Sequence, residues 1–339
     1  MDPLTQGVVG TTAAQLVSRK PVKFAAAVIG FLSGMAADLD VLIDSSSDPL
    51  LFLEYHRHFT HGLVFIPIGA LLCTIAFRLV FSNWLKSNEV GFKETYIFSF
   101  AGYATHALLD ACTTYGTQLF WPFSDMRVAW NNVSVIDPLF TLPLLVIIYF
   151  STFKGSTKFA YLGAFYAISY LMIGVLQGHR AESMATELAL SRGHTPVNLG
   201  VKPSMANLIV WKSVYEHDGH YYVDAMRVLV DKKIYSGTSV AKLNVDTHFP
   251  WLEKESQQAR DIERFAWFSN QHLGVDPYDV NRIIDIRYSL IPNQVTGMWG
   301  IELDANKGLQ EHVEWTANRP KGAHARKKMA ELWSMVLGR

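Results

Sequence analysis

Four stretches of this chain are longer and more apolar than the core segments of a water-soluble domain: "GLVFIPIGALLCTIAFRLVF" from Gly62, "YIFSFAGYATHALLDA" from Tyr96, "IDPLFTLPLLVIIYFSTF" from Ile136 and "FAYLGAFYAISYLMIGVLQ" from Phe159. A helix needs roughly 20 apolar residues to cross the hydrocarbon core of a bilayer, and each stretch approaches that length. Two shorter ones precede them, Leu4 to Val17 and Phe24 to Ala37, separated by Ser18, Arg19, Lys20 and Pro21. Both are rich in the small residues that let membrane helices pack closely. The expectation is a mainly α, polytopic bundle of about six membrane helices.

The distribution of charge sets the domain boundary. The chain carries 30 basic and 30 acidic side chains, but only 10 and 11 of them occur up to Gln177. Residues 1–177 therefore read as a membrane-embedded helical domain and 178–339 as a soluble α+β domain. A net charge of zero predicts no nucleic-acid partner. In the soluble part, "NLIVWKSVYEHDGHYYVDAMRVLV" from Asn207 reads as two strands turning at Asp218-Gly219. "IDIRYSL" from Ile284 and "VTGMWGIEL" from Val295 read as further strands, and "LEKESQQARDIERFAWFSN" from Leu252 as a helix. Arg326, Lys327 and Lys328 near the end fit a solvated helix face or a contact with anionic lipid. The two cysteines, Cys73 and Cys112, lie in apolar segments and suggest no disulfide framework.

Sidedness follows from Lys and Arg. Arg19, Lys20 and Lys23 fall in the first connection, Arg78, Lys86 and Lys93 in the third, and Lys154 and Lys158 in the fifth. The positive-inside rule assigns these to the cytoplasm. The second and fourth connections and the whole region after Gln177 then face the other side. The expected location is a bacterial inner membrane, crossed several times, with an extracytoplasmic C-terminal domain. The start, "MDPLTQGVVG", has no basic n-region and reads as retained rather than cleaved.

Ionisable residues at a membrane boundary are costly and mark function by default. Here Asp38, Asp40, Asp44, His56, His58 and His61 gather in the second connection, and "THALLD" sets His106 and Asp110 at i, i+4 on one helical face. Imidazole nitrogens with carboxylate oxygens form a donor set for a divalent ion, Zn2+ or Mn2+. The ligand pool is Asp38, Asp40, His56, His61, His106 and Asp110, with Asp38 or Asp40 free to act as general base or to bridge two ions. His58 is read as pointing elsewhere. Arg57 either clamps a phosphate or pairs with Glu54; Asp137 either orients a ligand histidine or caps the helix that begins at Pro138. Trp121, Phe123 and Trp130 suit an interfacial aromatic belt.

"MDPLTQGVVG", "AADLDVLID", "HRHFTHG", "THALLDACTTYGTQLFWPF" and "VIDPLF", in this order, resemble a family of bacterial inner-membrane-bound proteins regarded as metal-dependent hydrolases. That family is itself distantly similar to zinc-dependent phospholipase C and P1-type nucleases. The resemblance covers the membrane part and is looser beyond it. It implies a phosphoesterase-like site built from Asp38, Asp40, His56, His61, His106 and Asp110, suited by its position to a membrane lipid or a lipid-linked phosphate. One departure stands out: Gln6 occupies a position where the family usually carries His, which leaves open a chain that keeps the fold and has lost the reaction. The competing expectations are a non-catalytic membrane protein, with a structural metal or polar cluster and a partner-binding outer domain, and a transporter. Clustering at one membrane face argues against the transporter, whose site belongs near the midplane.

Overall fold

The computed structural model describes residues 1–19, 22–318 and 320–339; Lys20 and Pro21, which the sequence places in the first connection, lie outside the described residues. Packing divides the chain into two compact units. Unit 1 holds Met1–Ile43, Tyr55–Val175 and Met205–Asn207; unit 2 holds Asp44–Glu54, Leu176–Ser204 and Leu208–Arg339. The segment Asp44–Glu54, which the sequence places with the membrane part, thus belongs to unit 2.

Unit 1 is helical. Its elements are α1 (Pro3–Leu16), α2 (Lys23–Met35) continued by a 3₁₀ stretch (Ala36–Leu42), then, beyond α3 (Leu51–Tyr55), α4 (Ile66–Val80), α5 (Ser82–Ser87), α6 (Phe92–Ala111), α7 (Pro138–Lys154) and α8 (Thr157–Ser191), which runs on past the unit boundary. Asp2 caps α1 through Thr5 N–H at 3.0 Å, and Pro3 starts it. At its other end the Lys23 ammonium donates to the carbonyls of Gln15 (2.5 Å) and Ser18 (3.2 Å).

Polarity in this unit is reversed relative to a water-soluble bundle. Helices α1 and α6 bury Thr5, Gln6, Gln15, Thr95, Ser99, His106 and Asp110, whereas α4, α7 and α8 turn Leu72, Leu79, Leu142, Val146 and Phe165 outward with more than half their surface exposed. That arrangement is stable where the surrounding solvent is hydrocarbon. Among the described residues, three helices are long and apolar enough to cross a membrane: Lys23–Leu42, Leu63–Val80 and Thr157–Ser191. Of the six expected, these three meet the requirement on length and composition. With 14 residues, α1 reaches only about 21 Å, α7 is apolar but shorter than the three, and α6 carries Lys93, Glu94 and Asp110.

The centre of the unit is set by glycine. A Cβ on Gly10 would lie 2.4 Å from the Gly30 carbonyl oxygen, one on Gly102 would lie 2.6 Å from that oxygen, and one on Gly34 would lie 2.7 Å from the Gln6 carbonyl oxygen. Helices α1, α2 and α6 therefore approach backbone to backbone. Because the helices alternate in direction, the start of α1 and the ends of α2 and α6 share one end of the bundle.

Unit 2 adds α3 and the C-terminal half of α8 to two antiparallel sheets. The first orders β1 (Val197–Pro203), β2 (Val210–His217), β3 (His220–Arg227) and β4 (Lys233–Tyr235), with β5 (Ser239–Ala241) also pairing β3. The hairpin at Asp218-Gly219 forms where the sequence predicts it, both residues having positive φ (46° and 69°), as a two-residue turn of the primed type requires. After α9 (Val245–His248) and α10 (Gln257–Phe268) comes the second sheet, in the order β6 (Leu273–Asp276), β7 (Asp279–Asp285), β8 (Trp299–Glu302) and β9 (Glu314–Ala317). Helix α11 (Gly322–Val336) packs Leu332, Met335 and Val336 on Val210 and Ala225. The strand expected from Ile284 is corrected: β7 ends at Asp285, whose carboxylate takes the Arg287 backbone N–H at 3.1 Å and its guanidinium at 2.6 to 3.2 Å, turning the chain out of the ladder.

Candidate metal centre

Four donor atoms converge at the end of the bundle where α2 and α6 finish. His61 Nε2 lies 3.2 Å from Asp110 Oδ2 and 3.6 Å from Asp38 Oδ1; His106 Nε2 lies 3.3 Å from Asp38 Oδ1 and 3.6 Å from Asp110 Oδ2. His61, His106 and Asp110 are fully buried, and the Asp38 side chain is 19 % exposed. These separations can be compared with the edge of a tetrahedron whose centre is an ion bound at about 2.0–2.1 Å, which is about 3.3–3.4 Å. The four imidazole–carboxylate separations lie close to that edge, so this donor set suits a small divalent ion.

Hydrogen bonding gives the same answer by a separate route. His61 Nε2, His106 Nε2 and Asp110 Oδ2, together with Arg57 Nε and Gln6 Oε1, are buried and make no hydrogen bond among the described residues. They approach one another at ion-pair distance, yet none points along another's hydrogen-bond axis. Buried polar atoms without partners are rare and call for a ligand, a water or an ion.

The other ring nitrogens are fixed. His106 Nδ1–H donates to the Gly34 carbonyl (2.5 Å), a contact that the glycine crossing makes possible. Because a carbonyl only accepts, Nε2 is left as the free lone pair facing the cluster. His61 Nδ1 faces Thr60 Oγ1 (2.9 Å) and Asp40 Oδ2 (3.2 Å). Burial works against a charge on His61, but Asp110, Asp38 and Asp40 outweigh it and push the imidazole up to about 10. The carboxylates that hold this proton also face Arg57 and the Met1 ammonium, so a divalent cation would enter by displacing the His61 proton.

Asp40 is placed differently from the other carboxylates. Its Oδ1 faces His56 Nδ1 at 2.8 Å, and its Oδ2 accepts the Arg57 backbone N–H (2.8 Å) and the Thr60 hydroxyl (3.0 Å) besides facing His61. Asp38, Asp40 and His56 form a second, overlapping group of donors. Arg57 is 4 % exposed and sits at φ 64°, a left-handed conformation costly for a long side chain. Its Nε lies 3.0 Å from Asp110 Oδ2, its Nη1 donates to Thr113 Oγ1 (2.9 Å), and its guanidinium stacks 4.8 Å from the Tyr115 ring. The alternative pairing of Arg57 with Glu54 is overturned, since Glu54 binds Arg264 at 2.5 Å.

A family model described as "YdjM inner membrane protein" matches residues 1–181. The chain belongs to the YdjM inner membrane protein family. Among curated proteins, "Inner membrane protein YbcI" of Escherichia coli strain K12 is 32 % identical over 110 residues, covering 31 % of this chain and 60 % of that one. "Uncharacterized protein YfhP" of Bacillus subtilis strain 168 is 22 % identical over 175 residues, 51 % of each chain. The chain spans about half to three fifths of the length of these relatives. No solved structure matches. Membership in the YdjM family, with three apolar helices of spanning length, places the protein in the inner membrane. The matched region contains every residue of the donor cluster.

The YdjM-type region also places the remaining candidates. Gln6 enters the site: its Nε2 donates to Asp110 Oδ1 (2.8 Å), beside the Met1 ammonium, which contacts the same oxygen. Asp137 caps α7 through Leu139 N–H (3.1 Å) and Phe140 N–H (3.3 Å) and accepts from Tyr170, so it orients no ligand histidine. Asp44 is exposed and His58 packs on Trp121 at 5.6 Å; neither joins a donor group. Thr60 and Tyr115 were not singled out from sequence. Only the adjacency of Thr60 to His61 pointed to it.

Proposed function

We propose that the chain is a membrane-bound, metal-dependent hydrolase acting on a phosphoester of a lipid or lipid-linked substrate at the outer face of the inner membrane. The observation that carries this is the convergence of His61 Nε2, His106 Nε2, Asp38 and Asp110 Oδ2 on one point at tetrahedral-edge distances with their hydrogen-bonding capacity unspent. With His61, His106 and Asp110 as its protein ligands and the fourth position left to water, a Zn2+ ion, or Mn2+ in its place, would lower the pKa of that water toward about 7 and polarise a phosphoryl oxygen. Asp40 orients His61 and His56, and the Gly34 carbonyl orients His106. Asp38, the one partly exposed member of the group, is the carboxylate left to accept a proton. Arg57 is held rigid by Thr113, Asp110 and Tyr115, and supplies a fixed cation for a phosphoryl oxygen.

The distribution of Lys and Arg supports a multi-pass arrangement in which α1, α6 and α7 join the three longer helices and residues 178–339 are extracytoplasmic. The test is metal content of the detergent-purified protein by plasma mass spectrometry, for wild type and for His106→Ala, followed by hydrolysis of phospholipid and lipid-phosphate panels. Near-stoichiometric zinc or manganese that His106→Ala loses, with cleavage of a lipid phosphoester, is the expected result. Retained metal with cleavage of a soluble ester alone would remove the lipid from the proposal, and a protein that takes up no metal would remove the hydrolase.

A further inference from the structure

The segment Asp44–Glu54 is inserted between two motifs of the candidate cation site. The chain leaves unit 1 after Ile43, just past Asp40, and returns at Tyr55, just before His56. Within unit 2 this segment is fastened in two ways. Leu50 and Leu53 are buried, and Phe52 meets Trp315 edge-on at 5.1 Å, Trp315 in turn meeting Phe265 of α10 at 6.0 Å. Arg264, also on α10, grips both oxygens of Asp48 (Nη1 3.0 Å, Nη2 2.8 Å), donates Nε to Glu54 (2.5 Å) and Nη1 to Asp261 (2.9 Å). Asp261 also accepts from His312 Nδ1 (2.8 Å) and the Val313 N–H (3.1 Å).

A guanidinium held at four points fixes direction as well as distance, which hydrophobic burial alone does not. Glu54 is separated from His56 by a single residue, and His56 is hydrogen-bonded to Asp40, the carboxylate that also faces His61. We infer that Arg264 is a positioning residue of the cation site: by anchoring Asp48 and Glu54 it fixes the segment whose two exits carry Asp40 and His56. The inference rests on the cation reading given above. It adds that part of the precision of that site is supplied by a side chain far from it in sequence.

The experiment uses the full chain in detergent as wild type, Arg264→Met and Arg264→Lys. Zinc affinity is read by competition with a chelator, and amide hydrogen exchange is followed in the metal-free protein. Arg264→Met is expected to weaken zinc binding about tenfold, at the low end of what partners of metal ligands cost. It is also expected to speed exchange at residues 55–61 while β2 and β3 exchange as in wild type. Arg264→Lys keeps the charge without the fork and recovers part of both. Unchanged affinity and unchanged exchange at 55–61, beside a wild type that holds zinc, overturn the inference. A wild type that takes up no zinc overturns the cation reading instead, and the exchange comparison then decides whether Arg264 orders the segment. Should Arg264→Met loosen β2 and β3 as well, Arg264→Lys and Glu54→Gln carry the same comparison.

Discussion

Each unit contains a dense group of charged side chains, and the two groups are built on opposite terms. In unit 2, Arg264, Asp48, Glu54, Asp261 and His312 satisfy one another: none of them appears among the buried side chains that lack a hydrogen bond. In unit 1, His61, His106, Asp110, Arg57 and Gln6 each present a buried polar atom with no hydrogen-bond partner among the described residues. Fully paired charge is architecture. Charge that converges at ion-pair distance with buried hydrogen-bonding atoms unspent is suited to taking up a cation.

The contrast can be broken most sharply at His106. Its replacement by Ala is expected to weaken zinc binding by at least about 1,000-fold, beyond what outer partners of a ligand give, in a chelator competition. A small loss would mean that the converging atoms are not ligands. On the other side of the comparison, Asp261→Ala leaves Arg264 with Asp48 and Glu54 but takes the acceptor from His312 and the Val313 N–H, and is expected to cost about 2 kcal/mol of stability in denaturant unfolding, with or without zinc. A cost that appears only with zinc would make the unit 2 group a binding site too.

Proton linkage sharpens the difference further. With its metal-free imidazole held at about 10, His61 must shed a proton to become a ligand. Zinc affinity should therefore rise about tenfold per pH unit between pH 6 and 8, with proton release in calorimetry. A flat profile would exclude His61 from the donor set. The smallest effect is expected at Gln6. Gln6→Met keeps the volume but removes the amide that holds Asp110 Oδ1, leaving Oδ2 freer to turn from the imidazoles; a loss of about tenfold in zinc affinity is expected. No loss would return Gln6 to the standing it has in the sequence, a departure that marks a weakened site.

The i, i+4 spacing of His106 and Asp110 was readable because a helix imposes it, and the apolar stretches announced the helices that carry the site. The separate duties of Asp38 and Asp40 were not readable. They differ in which oxygens face inward, and that is decided by a 3₁₀ stretch after α2 and by the Arg57 N–H. The membership of Asp44–Glu54 in unit 2 was hidden for another reason: its partners Arg264 and Trp315 lie more than 200 residues away. Gln6 looked like a poor ligand and is one in its chemistry. Its use is to hold Asp110, a contact that depends on α1 meeting α6.

The glycine crossing of α1, α2 and α6 has a consequence for which positions tolerate change. The Gly34 carbonyl selects the tautomer of His106, so the distance between two helix backbones sets the chemical state of a ring nitrogen on one of them. An alanine at Gly30 or Gly102 adds one methyl and no charge, yet the first must push α2 away from α1 and the second must push α6 away from α2. In a saturation library these two positions should be as intolerant as the histidines, although neither residue has a side chain that could touch a cation.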